Sequence, residues 1–151
     1  MPPIDPDTLL AGADAAISRS EQTADTIARA TRHAPLDIDI RLAAYRFYFY
    51  THDFRRAAEE ARVILAHTAR QLNIPQDWAL VSAQDAPFTE HRFQPGLYLQ
   101  ALIGWGYCLA RMGDLDGATA VWSKAAKLDP TDRFGGAWLL DRIKAHEDED
   151  A

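Results

Sequence analysis

Apolar residues recur three and four positions apart over most of this chain. After Asp53 one such stripe consists of Phe54, Ala57, Ala58, Ala61, Ile64 and Leu65. Positions with this spacing share one face of an α-helix, so the stripe predicts an amphipathic helix that ends near Asn73 and Pro75. Similar stripes predict helices over 97–112, within 113–130 and near 132–146. Residues 6–32 also have a helical pattern, as one helix or as two, because Ser18 and Glu21 have the spacing of a capping box.

Two segments lack a clear helical pattern. Residues 37–50 combine "RLAA", which favours helix, with "YRFYFY", which is rich in residues that favour strands. Residues 73–96 contain three prolines and show no sustained period, which predicts irregular chain. The aromatic residues of this segment argue against full disorder, so it either folds onto the helices or forms a separate recognition loop.

The segment 98–131 has small, bulky and turn-forming residues at characteristic places. Gly113 suits the end of a helix, and Pro130 cannot continue one. Small residues at two positions allow two antiparallel helices to approach, and a tryptophan fills the gap between them. In these features the segment resembles a tetratricopeptide repeat, through Trp105, Gly106, Leu109, Gly113, Ala118, Trp122, Ala125 and Pro130.

The pattern recurs along the chain. Thr23, Ile27 and Ala30 are followed 34 residues later by Ala57, Ala61 and Ile64, and 34 is the tetratricopeptide period. The resemblance implies an all-α, short helical solenoid in one domain, 1–151, and it requires 38–50 to be helical. Its predicted parts are three helix pairs at about 4–36, 38–72 and 98–131, an insertion at 73–96, and a C-terminal capping helix at 132–146 that directs Phe134, Ala137, Trp138 and Leu140 toward the array.

The composition narrows the classes of function. The 151 residues carry a net charge of −6, so the basic surface of a nucleic-acid-binding protein is missing. No apolar run approaches the length of a membrane span, and the start "MPPIDPDTLLAG" lacks the pattern of a signal peptide. The single cysteine, Cys108, fits a reducing compartment. We therefore expect a cytoplasmic protein that binds neither nucleic acid nor membrane, and the arginine- and alanine-rich composition is typical of GC-rich bacterial genomes.

No recognised catalytic or cofactor motif is present. The five histidines have no known metal-ligand spacing, and the chain has neither a phosphate-binding glycine loop nor a nucleophile elbow. We therefore expect no metal, no cofactor and no enzymatic activity. The rival enzyme hypothesis is a small hydrolase with a site in the insertion, built from His91 with Glu90 or Asp85.

The resemblance also implies a binding surface. In tetratricopeptide arrays the first helix of each pair lines a concave groove, and the lysine and asparagine that bind a C-terminal carboxylate in some members are missing here. Aromatic side chains with arginines nearby suit a peptide that has apolar side chains and one acidic group. The alternative is that these aromatics pack against the insertion or an adjacent helix. The predicted groove positions are Asp39, Leu42, Arg46, Phe49, Tyr50, Gln100, Ile103, Tyr107 and Arg111.

These features predict a non-enzymatic protein-protein interaction module that binds another protein or a peptide segment. An adaptor, an assembly factor and a dedicated chaperone all fit this description. The main alternative among binding proteins is a homodimer in which the same aromatic face closes on its twin. In the insertion, Trp78, Phe88, His91 and Phe93 are the residues that would cover an apolar face or recognise a partner.

Overall fold

The computed structural model describes residues 20–150, and over these residues the chain is all-α. The predicted fold class is therefore confirmed. The questions of whether 6–32 is one helix or two, and of how the first unit begins, concern a segment outside the described residues. The helices are α1 (Ser20–His33), α2 (Ile38–Tyr50), α3 (Phe54–Leu72), α4 (Phe93–Arg111), α5 (Leu115–Leu128) and α6 (Gly136–Asp150), with a 3₁₀ turn at Trp78–Leu80.

The chain forms two compact units, 1–64 and 65–151, and the boundary falls within α3. In the first unit α1 packs against α2, and α2 contacts α3 through side chains described below. In the second unit α5 packs against both α4 and α6. Within each unit, this packing of helices that are neighbours in sequence is consistent with a helical solenoid.

Helix α2 forms despite its strand-favouring residues. Asp37 caps its start, because the Asp37 carboxylate accepts hydrogen bonds from the backbone N–H groups of Asp39 and Ile40 at 3.0 and 3.3 Å. Phe47 and Tyr48 are buried, so their packing outweighs their intrinsic preference for strands. The segment 38–50 is helical, as the resemblance to a tetratricopeptide repeat predicts.

Helix α4 begins earlier than the sequence indicates. The predicted start was 97, after Pro95 and Gly96, whereas the helix runs from Phe93. Pro95 lies in its first turn, where a backbone N–H has no partner within the helix and its loss costs little. The irregular segment is therefore 73–92, which is shorter than the predicted insertion 73–96.

Helix α6 begins later than predicted, at Gly136 instead of 132, and it continues to Asp150. Asp132 has a positive φ of 55°, and its carboxylate accepts hydrogen bonds from the backbone N–H groups of Ala137 and Trp138 at 2.9 and 3.2 Å. Residues 132–135 thus form the turn that caps the helix. The prediction that Trp138 faces the array is wrong, because 58% of this residue is exposed and its ring lies under Arg142.

Candidate interaction surfaces on helices α2 and α4

Helix α2 separates its side chains into a buried and an outward side. The buried side consists of Ile40, Ala43, Ala44, Phe47 and Tyr48. All five of the positions predicted to line a groove lie on the other side. Asp39, Arg46 and Tyr50 are exposed, and Leu42 and Phe49 are half-buried. These five residues are called the α2 face below.

Aromatic rings cluster at the C-terminal end of the α2 face. Phe49 lies at the centre, with ring centroids 5.6 Å from Tyr45, 5.9 Å from Tyr50 and 6.0 Å from Phe54. The contacts of Phe49 with Tyr50 and Phe54 are edge-to-face, a favoured geometry for aromatic pairs. Tyr50 is 68% exposed. The cluster therefore presents one solvent-exposed ring next to rings that pack against one another.

The charged residues of the α2 face, Asp39 and Arg46, differ in their contacts from the ion pair of Arg41 with Glu60. The side chains of Asp39 and Arg46 make no hydrogen bond or ion pair with any residue that the structure describes. Arg41, on the same helix, donates two hydrogen bonds to the Glu60 carboxylate at 3.0 and 3.2 Å. Burial raises the pKa of Glu60, and the positive charge of Arg41 opposes this rise. Arg41 and Glu60 thus join α2 to α3, whereas Asp39 and Arg46 take no part in the contacts between the described helices.

Helix α4 carries the other four predicted groove positions, called the α4 face below. Gln100 and Arg111 are exposed, and Ile103 and Tyr107 are half-buried. The Arg111 guanidinium donates to the Tyr107 hydroxyl at 3.2 Å and lies 6.0 Å from the centre of its ring. Ile103 also contributes to packing, because its Cδ1 lies 3.3 Å from where a Cβ on Gly136 would stand. The start of α6 therefore covers part of this side chain.

Within the second unit the insertion packs on α4 and α5. Val81 and Phe88 are buried, and the rings of Phe88 and Tyr98 are 5.8 Å apart. Trp78 meets Trp105 edge-on at 5.6 Å. Trp78 and Phe88 thus cover the helices, as the packing alternative expects. His91 and Phe93 remain exposed, and Phe93 is the first residue of α4.

Lys124 holds the insertion in place. Its ammonium donates hydrogen bonds to the carbonyl oxygens of Ala79 at 3.0 Å and Val81 at 2.6 Å. These contacts join residues more than 40 positions apart, so no local pattern in the sequence points to them. The ion pair of Arg41 with Glu60 was also missed, because it joins two different helices at residues 19 positions apart.

The residues of the rival hydrolase site are not brought together. Asp85 accepts a hydrogen bond from the backbone N–H of Ser82 at 2.8 Å, and Glu90 pairs with Arg92 at 3.3 Å. His91 is exposed and contacts neither carboxylate among the contacts described for residues 20–150. Across that same range no group of three or more His, Cys, Asp or Glu residues could hold a metal ion.

Two further features of the described helices concern reactivity and membranes. Cys108 is fully buried in α4, and burial raises the pKa of its thiol to about 12, so it is protonated at neutral pH. A thiol in this state is a poor nucleophile. None of the described helices combines the length and the apolar character needed to cross a membrane.

Comparison with known proteins finds similarity to one bacterial sequence. The chain is 32% identical over 118 residues to a protein of Azotobacter chroococcum mcd 1 named "Uncharacterized 19.8 kDa protein in nifW 5'region". The aligned region covers 77% of this chain and 66% of the relative, so the chain spans just under two thirds of that protein's length. No family model matches the chain, and no solved structure matches it. The chain is thus similar to a bacterial protein over most of its own length.

Proposed function

We propose that this protein is a cytoplasmic, non-enzymatic interaction module of the tetratricopeptide type. It binds a segment of another protein on the α2 face or on the α4 face, as an adaptor, an assembly factor or a dedicated chaperone does. The name of the Azotobacter relative refers to a position next to nifW. Proteins encoded beside this chain's own gene are therefore the first candidate partners.

One observation carries the proposal: the outward positions of two helices in the same register combine aromatic and arginine side chains at the surface. Asp39, Leu42, Arg46 and Tyr50 precede Gln100, Ile103, Tyr107 and Arg111 by 61 residues, and all eight are exposed or half-buried. Tyrosine and arginine are enriched among residues that dominate binding energy at interfaces.

The chemistry of the two faces defines the partner segment. Arg46 and Arg111 are exposed cations in a protein with a net charge of −6. They attract an acidic group locally, while Phe49, Tyr50 and Tyr107 offer contact area to apolar side chains. The segment therefore has apolar side chains and at least one carboxylate.

The test measures binding kinetics of a captured neighbour-encoded protein at two salt concentrations. Arg46→Glu and Arg111→Glu should slow association, and more at low salt than at high salt, since exposed charges are screened over about 8–10 Å at ordinary ionic strength. Phe49→Ala and Tyr107→Ala should speed dissociation with little dependence on salt, because they remove desolvated contact area.

Two matched variants control for the effects of reversing a charge or removing a ring anywhere on the surface. Arg70→Glu makes the same charge change at an exposed residue of α3 in its last turn, and Trp138→Ala removes an exposed ring from α6. Both should bind like wild type. If the four face variants also bind like wild type while remaining folded, the faces are structural and the proposal is wrong.

A further inference from the structure

The α2 face has the residue spacing of a seam between two packed helices. Asp39, Leu42, Arg46 and Phe49 follow one another at intervals of three, four and three, which is the spacing of core positions in a coiled coil. Leu42 and Phe49 are half-buried, and Asp39 and Arg46 are exposed. Charged residues at such positions specify the register and the orientation of the helix that packs against them.

Only one orientation makes the α2 face complementary to itself. Asp39 and Arg46 are seven residues apart, which is about 10 Å along a helix axis. If a second α2 runs antiparallel, with a two-fold axis near Leu42, Asp39 of each copy lies opposite Arg46 of the other. A parallel arrangement would instead place Asp39 against Asp39 and Arg46 against Arg46.

Apolar residues at both ends of α2 are complementary in the same register. Leu36 lies just before the capping residue Asp37 and is 84% exposed, although it is a large aliphatic side chain. Tyr50, at the other end, is 68% exposed. The antiparallel arrangement brings Leu36 of each copy beside Phe49 and Tyr50 of the other, and it brings the two Leu42 side chains together near the axis.

We propose that the α2 face is the contact of a symmetric dimer, with a second copy of this chain packed antiparallel on it. The contact uses the same patch on both copies, as two-fold interfaces do. The dimer forms without any other partner, so it does not rest on the proposed function. Where both hold, a partner segment and the second copy compete for the α2 face, and partner binding converts dimers to monomers.

The test measures molar mass by sedimentation equilibrium over a range of concentrations of the full chain. Asp39→Arg and Arg46→Asp each place like charges opposite one another at two symmetry-related points. Each should therefore weaken the dimer by at least about tenfold in its dissociation constant. The double variant with both changes exchanges the charges and should return the dissociation constant toward that of wild type.

Matched controls separate the contact from effects on helix stability. Asp116→Arg reverses an acidic residue in the first turn of α5, as Asp39→Arg does in α2, so it has the same cost to the helix dipole. Arg70→Asp matches Arg46→Asp at an exposed site in α3. Both controls should dimerise like wild type. Circular dichroism checks that every variant remains helical.

Three results would overturn the inference. The first is a wild-type chain that stays monomeric at every concentration up to about 1 mM. The second is a dimer that neither single reversal weakens, which would place the contact on another surface. The third is a double variant as weak as the single ones, which would exclude the antiparallel arrangement.

Discussion

Two helix pairs, α2 with α3 and α4 with α5, follow the same sequence register but carry their large side chains on different helices. Gly106 on α4 lies against Trp122 on α5 so closely that a Cβ at Gly106 would overlap the indole ring. The corresponding residues 61 positions earlier are Tyr45 on α2 and Ala61 on α3. The large side chain is thus on the second helix in one pair and on the first helix in the other.

At a second pair of positions 61 residues apart, the two helix pairs again differ in side-chain type. Arg41 and Glu60 form an ion pair in the first unit, with side chains 19% and 11% exposed. The residues 61 positions later are Leu102 and Val121, and both are buried. Corresponding positions thus hold an ion pair between α2 and α3 and two buried apolar residues in α4 and α5.

The largest effect is expected where the α4–α5 pair depends on one side chain. Trp122 is buried, and its indole N–H donates to the Ile103 carbonyl oxygen at 3.0 Å. Trp122→Ala removes this ring and leaves a cavity beside Gly106, so it should lower the free energy of unfolding by about 3–5 kcal/mol. The measurement is chemical denaturation followed by circular dichroism.

Trp138→Ala is the matched control, because it removes the same ring from an exposed position. A surface change of this kind should alter stability by about 0.5 kcal/mol or less. Equal effects of the two substitutions would show that the close approach at Gly106 does not hold this pair together.

The α2–α3 pair should respond differently, because its contact depends on charge. Arg41→Leu leaves the Glu60 carboxylate buried without its partner and should cost about 2–3 kcal/mol at pH 7, somewhat less than for a fully buried pair. The double change Arg41→Leu with Glu60→Val copies the residues of the α4–α5 pair. It should be neutral or stabilising, because well-packed apolar residues often replace buried ion pairs without loss.

The difference in stability between the double variant and wild type should depend on pH. Burial raises the pKa of Glu60 in the folded state, so the folded chain holds this proton more tightly than the unfolded chain. The resulting stabilisation is present at pH values below the ordinary pKa of a glutamate and is lost as pH rises through the folded-state value. The advantage of the double variant over wild type should therefore be larger at pH 7 than at pH 4. An advantage that does not change with pH would show that Glu60 is not held as described.

Periodicity predicted most of the helices, because each has an apolar stripe whose spacing is local. Helix α2 was predicted only from the resemblance to a tetratricopeptide repeat, since its own residues left helix and strand open. The outward positions of α2 and α4 were predicted from the same resemblance, and they share one face because a helix turns by a fixed angle at each residue. The helix starts at Phe93 and Gly136 were missed, because the first-turn Pro95 and the capping Asp132 act through backbone geometry that the stripe does not encode.

Contacts between distant residues could not be predicted from the pattern. The burial of Gly136 against Ala125, and not of Trp138, depends on how closely two backbones approach. The ion pair of Arg41 with Glu60 depends on which charged residues face one another across two helices. A single sequence gives the residue types at these positions but not the distances between their side chains.

The smallest of the expected stability effects concerns the insertion, which only the second unit has. Residues 51–53 join α2 to α3, whereas the longer segment 73–92 separates α3 from α4.

Lys124→Met keeps most of the apolar stem but removes the ammonium that donates to Ala79 and Val81. Each lost hydrogen bond from a charged donor is typically worth about 1.5–3 kcal/mol, but solvent reaches Lys124, so the total cost should be about 1–2 kcal/mol. Amide hydrogen exchange should become faster in the insertion, while exchange in α5 should remain unchanged.

Lys127→Met is the matched control on the same helix, since Lys127 is exposed, and it should leave exchange in the insertion at the wild-type rate. Wild-type exchange in Lys124→Met would mean that the apolar contacts of Val81 and Phe88 alone hold the insertion on the α4–α5 pair.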